Sequence, residues 1–298
     1  TVGYWFVDCR CHGIDVTWFS LGDGSNSGNY YIQSVGDPLS PILARPFYDV
    51  VGQNQSSLLA AFPNEIEGDI QVTTSSEMHS AAVQLRRNLN RGCGSRIDLV
   101  GGYRFLRYRE GLTIREHLNS TAVTGAVAVG TIIDVYDSFA TENNFHGGEI
   151  GISTQIDREC WSLDLLAKVA LGDMRQEVRI DGSTEIVVPS QTPLLSSGGL
   201  LALPTNIGAY SQHDFAVIPE LNVNLHYALA EHIGITAGYS VLWVTELVRT
   251  GDQIDSQINT TQLPANGGTL TGAARPAPVL TNTSMWTQGL TLGVTWKY

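Results

Sequence analysis

The 298-residue chain has no apolar run of the roughly 18 residues that a membrane-spanning helix needs. Its longest candidate, residues 123–133, is too short and is broken by Gly125, Gly130 and two threonines. Charge is also scarce, at 15% of residues. The balance is acidic, 17 Lys and Arg against 29 Asp and Glu for a net −12, which argues against a nucleic-acid surface. No nucleophile elbow, HExxH pair, phosphate loop or EF-hand spacing occurs, so no enzyme, cofactor or metal reading is supported. An initiator Met, a basic leader and an apolar leader core are missing from TVGYWFVD, so the chain is expected to be processed or trimmed.

What the chain does have is alternation. In MWTQGLTLGVTWKY (285–298), Trp286, Leu290, Leu292, Val294, Trp296 and Tyr298 share one face, interrupted by Gln288. The other face carries Thr, Gly and Lys, and period two is the mark of a strand. Trp286 and Trp296 are ten residues apart. That is ~33 Å at ~3.3 Å per residue, or ~25 Å when tilted by about 40°, the apolar height of a membrane barrel. The same pattern recurs from Ile97, Trp161, Phe215 and Ile233. These segments read as strands of about 12 to 16 residues, longer than the five or six usual in soluble sheets. A chain that crosses a membrane without helices must close a barrel.

Connections are expected to alternate between tight turns (Arg91–Gly94, Asp157–Glu159, Ala230–His232) and long loops (about 109–144, 173–213 and 249–284). The fold expected is therefore all-β: a closed, antiparallel, up-and-down transmembrane barrel over 13–298. It would have about ten strands, or twelve if 109–144 or the first ten residues contribute. Strands are expected at about 13–21, 42–51, 66–75 and 78–90 before the repeating set. Residues 1–12 would form a separate periplasmic segment, with short turns periplasmic and long loops extracellular.

Several stretches, in order, carry a resemblance. They are GYRFLRYREGLTI (102–114), DSFATENNFHGGEIGI (137–152), CWSLDLLAKVALGDMRQEVRIDG (160–182), NIGAY (206–210), FAVIPELNVNLHY (215–227), GYSVLWVTELVRTGDQID (238–255) and WTQGLTLGVTWKY (286–298). Together they resemble β-barrel porin family 7, outer-membrane proteins abundant in planctomycete-type bacteria. The resemblance covers roughly 40–298. It implies an outer-membrane barrel in a Gram-negative-type envelope and brings no catalytic residues.

The parity assigns roles. Arg86, Asp98, Arg104, Glu149, Asp164, Lys168, Glu220, His226 and Lys297 fall on the lumen side. They read either as a constriction that selects solutes by charge or as a salt-bridged filling. Outward aromatics Trp161, Tyr227, Tyr239, Trp243, Trp286, Trp296 and Tyr298 would form the girdle against outer-membrane lipid. Cys9, Cys11, Cys93 and Cys160 would gather at the periplasmic rim, one of Cys9 and Cys11 joined to Cys93 and the other to Cys160. Zinc at CRCH (9–12) and free thiols are the alternatives. The acidic stretches GDG (22–24), DVYD (134–137) and GDQID (251–255) read as solvated loop carboxylates rather than calcium ligands. The expected function is passive diffusion of small hydrophilic solutes or ions. The alternative is a non-conducting structural or adhesion barrel whose loops bind other surface components. Candidate protein partners are envelope proteins or further copies of the chain.

Overall fold

In the computed structural model, residues 1–6, 11–22, 28–92, 94–122, 127–230 and 232–296 are described. None of the helices is long and apolar enough to cross a membrane. Fourteen strands are formed by the described residues: β1 (Val2–Trp5), β2 (His12–Leu21), β3 (Gly28–Ser34), β4 (Leu43–Asp49), β5 (Asn54–Ala61), β6 (Ile66–Gly92) and β7 (Ser95–Ser120), then β8 (Ile132–Arg158), β9 (Trp161–Val187), β10 (Leu194–Ser197), β11 (Gly208–Ala230), β12 (Ile233–Val248), β13 (Gln257–Ile258) and β14 (Asn282–Trp296).

One large antiparallel sheet runs in the order β1-β2-β6-β7-β8-β9-β11-β12-β14, with β3 also on β6 and β10 also on β9. Because β2 and β3 lie end to end along β6, they occupy a single place in the wall. No ladder joins β14 to β1 or β2 among the described residues, so the expected closed barrel of ten strands is replaced by a curled sheet with two ends. Within the expected segment 1–12, Val2–Trp5 pairs with Gly13–Val16 as the outermost strand. The expected wall strand at 42–51 belongs instead to a second sheet, β13-β4-β5.

The wall strands are longer than expected. Strands β6 to β9 have 26 or 27 residues each, ~85–90 Å of extended chain. The segments expected at 66–75 and 78–90 are one strand, and the expected loops 109–144 and 173–213 are largely strand. The reason lies on the outer face. On β9 it reads Leu163, Leu165, Ala167, Val169, Leu171 and then, at the same parity, Asp173, Arg175, Glu177, Arg179. On β7 it changes from Tyr103 and Phe105 to Arg107 and Arg109. A polar row, His79–Arg107–Asn144–Arg175–His213, is continuous across five strands, with His146 and Asp173 one step nearer the apolar part. The ladder continues through this boundary; only the outer side chains change, from apolar to charged.

Below that row the outer face is a belt of exposed apolar side chains. Leu290, Leu292 and Val294 are 73–75% exposed, and Ile150, Phe215, Leu225 and Trp243 are also bare. A water-soluble monomer seldom shows more than a few hundred Å² of such surface in one patch.

The opposite face is concave and packed. Phe19 of β2 and Met285 of β14, near opposite ends of the strand order, lie against the same buried cluster. Glycine assists the curl where Gly147 of β8 faces Gly172 of β9. A Cβ at Gly147 would collide with the Phe145 ring, and one at Gly172 with the His146 carbonyl.

Candidate functional site: the interior of the sheet

Inner positions are arranged in layers. Nearest the tight turns, Trp5 of β1 has the Arg96 guanidinium 4.1 Å and that of Arg86 5.9 Å from its ring centroid. Gly13 faces Trp5 across the ladder, where a Cβ would come within 2.9 Å of the indole. Arg86 bridges Asp15 at 2.7 Å and Asp98 at 3.1 Å, and Arg96 bonds Asp98 at 2.9 Å. These groups, with Asp164, Glu220 and Asn222, line a polar chamber of about 590 Å³. At its rim His226 meets Asp164 at 3.0 Å.

The chamber ends on a buried quartet. Arg104 reaches Glu220 at 2.6 Å and Glu149 at 3.4 Å, while Lys168 lies 3.4 Å from Glu149 and 3.5 Å from Glu220. Gln84 donates a further hydrogen bond to Glu149. Two cations and two anions cancel, and Arg104 is 2% exposed. Burying such a set is tolerable only with every partner in place.

Above the quartet the interior turns apolar. Leu106, Phe145, Met174, Ile218 and Leu247 have no solvent exposure and form one cluster with Met78 and Leu242. Asn143 of β8 then clamps Val248 at the end of β12: its side-chain oxygen accepts from the Val248 N–H at 2.8 Å and its amide donates to the Val248 carbonyl at 2.9 Å. A second cluster, Phe139, Val178, Ile180, Ala202 and Val248, continues the filling.

The β13-β4-β5 sheet and the segments around residues 198–207 and 250–266 form a lid on the last layer. Arg45 of β4 spans Glu116 of β7 and Asp137 of β8, both at 2.7 Å. The Asp137 carboxylate also accepts backbone N–H bonds from Leu200, Leu201 and Ala202 at 2.8–3.1 Å. Burial pushes the Glu116 carboxyl up, and Asp137 adds to this, against the opposing pull of Arg45. Asp255 shows the opposite balance. Burial would raise it, but N–H bonds from Ala277 and Gln257, together with Arg275, hold it below the usual carboxylate range. So Asp137 and Asp255, expected in solvated loops, are structural hubs.

The sequence-predicted lumen residues Arg86, Asp98, Arg104, Glu149, Asp164, Lys168, Glu220 and His226 all face this interior, in three connected groups. Lys297 lies outside the described residues, as do Tyr298, Cys9 and Cys93. Glu116, Asp137 and Asn143 fall within 109–144, which reads as a loop in sequence, and Arg45 falls in 42–51, which reads as a wall strand rather than part of a second sheet. Their strand parity was the available signal.

The outward aromatics Trp161, Tyr227, Trp243, Trp286 and Trp296 are exposed on the belt. Trp243 pairs with Trp286, and Trp161 with Tyr227. Tyr239 departs from the rim pattern. It stands in mid-belt opposite Leu290, and its hydroxyl donates to Gln288 at 2.5 Å, satisfying the one polar interruption of that face.

Cys160 is a free, exposed thiol, so its expected disulfide is not formed. Its carbonyl bonds the Ala228 N–H on β11, whereas Cys11 bonds Asn88 on β6. Strands β7, β8 and β9 lie between those places, beyond the ~7 Å Cα limit of a bridge. Cys11 itself is disulfide-bonded.

No curated protein and no solved structure matches the chain. A protein-family model does, and over its full length, extending past the residues that carry the resemblance. A large antiparallel all-β sheet is compatible with a β-barrel family, and the chain, matched over residues 1–298, belongs to the family "Putative beta barrel porin-7 (BBP7)".

Proposed function

We propose that this protein is an outer-membrane β-barrel whose interior is stoppered, so that it serves as a membrane-anchored surface structure rather than an open pore. The observation that carries the reading is the run of inner side chains with zero exposure, Leu106, Phe145, Met174 and Ile218, above a neutral charged quartet. Bringing β14 round to the β1–β2 end would make a wall of eight main places, β2 with β3, β6, β7, β8, β9, β11, β12 and β14, with the four-residue β1 covering β2 over Gly13–Val16 only. Eight strands leave an interior just filled by side chains. The exposed apolar belt would face lipid, and because hydrocarbon tolerates no unpaired sheet edge the two ends of the wall would have to meet there. By the usual barrel polarity the tight turns face the periplasm. The charged extension of the wall and its lid then stand outside the cell, available to other envelope components or further copies of the chain.

In planar bilayers the purified protein should insert without steady current. Sustained single-channel conductance by the unmodified protein would overturn the stoppered reading. A second reading, passive diffusion of small hydrophilic solutes or ions, is favoured by the 590 Å³ polar chamber on the turn side. It requires both lid and apolar layer to move. Arg45→Met conducting where the unmodified protein does not would favour a gated path.

A further inference from the structure

At the end of the wall farthest from the tight turns, a chamber of about 260 Å³ separates the lid from the wall. Leu58 and Leu59 of β5 form one side, Leu118 and Val135 the other, and Leu263 the back. The lid packs well on both sides of it: Ala60 and Ala61 against the wall, and Leu200, Leu203 and Ile258 among themselves, are all at zero exposure. One feature of the lining is polar and unused. The Thr131 hydroxyl is buried and has no partner, whereas those of Ser120 and Thr184 are spent on the carbonyls of Ala122 and Gly198 at 2.7 Å.

We propose that this chamber binds a small amphipathic molecule, with an aromatic or medium-chain apolar body and one polar head that engages the Thr131 hydroxyl. Size follows from volume. An apolar cavity of about 150 Å³ holds benzene, so one of this volume holds roughly ten non-hydrogen atoms. In the structure that oxygen is turned away from the space, and binding as proposed includes its change to another staggered rotamer. The proposal stands on lid and wall alone, independent of whether the barrel conducts.

The test is equilibrium dialysis of 2-naphthol and of naphthalene against the full chain in lipid nanodiscs, with protein-free nanodiscs as blank. Saturable binding of one 2-naphthol per chain is expected, with naphthalene weaker. Ala265 is exposed at the mouth. Ala265→Trp should fill the space and weaken binding at least tenfold, and Val127→Trp, from another side of the mouth, should do the same. Thr131→Val should keep naphthalene binding and abolish the preference for 2-naphthol. Uptake no greater than the blank, or undiminished binding in both filling variants, overturns the site. An unchanged preference in Thr131→Val overturns the role of the hydroxyl.

Discussion

Arg45 is the side chain on which the lid's attachment turns, because among the described residues it alone links β4 to carboxylates on two wall strands. Arg45→Met would leave Glu116 without its cation and Asp137 with only its backbone donors. Removing one member of a buried pair typically costs ~3–5 kcal/mol. The expected outcome is faster chymotrypsin cleavage at Phe47 and Leu58, with the wall strands still protected; equal cleavage rates would refute the latch. The pH dependence has a definite sign. Glu116 is raised in the folded protein, so the native state holds a proton that the unfolded chain releases. Its contribution is therefore complete below about 4.5, the ordinary value, and is lost as pH rises through the raised folded value. Asp255 is lowered, so its contribution is present above 3.8 and lost as pH falls through its depressed value. Calorimetric scans should show Glu116→Gln flattening the first dependence and Asp255→Asn the second. A Glu116→Gln variant with the slope of the unmodified protein would show that burial does not act on this carboxyl as described.

At the scale of the strand, one parity carries two kinds of side chain, apolar and then charged. Leu290 of β14 lies mid-belt, in line with Tyr239, Val223 and Leu165, whereas Ala209 of β11 lies on the same outer face beyond the polar row. Lysine at a bilayer midplane costs ~2–4 kcal/mol and near the interface or beyond it little. Leu290→Lys should thus lower the stability of protein folded into lipid vesicles by about that amount, and Ala209→Lys should leave it within about 0.5 kcal/mol. Denaturant titration of the vesicle-bound protein reads both, and equal small effects would place Leu290 outside lipid. The same boundary explains how the strands were misjudged. Arg107, Arg109, Asp173 and Arg175 look like the end of an apolar face, yet the inner face keeps alternating through Leu106, Tyr108, Met174, Gln176 and Val178. A strand ends where its ladder ends, not where its outer face turns from apolar to charged.

For the molecule as a whole, the apolar belt predicts that extraction requires detergent; full recovery in aqueous buffer after membrane washing would sink the lipid-facing reading. The sequence by itself determined the alternation, the outward belt, the inward charges and the family, because side-chain parity is local and survives without knowledge of neighbours. It did not determine what the inward face would meet. Leu106, Phe145 and Ile218 belong to three different strands and become a stopper only once the sheet curls. Arg45 finds Glu116 and Asp137 across 71 and 92 residues of chain. Cys160 is kept from Cys11 by three intervening strands. Whether an inward face holds water or packed side chains depends on curvature and on which distant segments return to fill it. That was decided by tertiary structure, since both are properties of long-range contacts that no local period encodes.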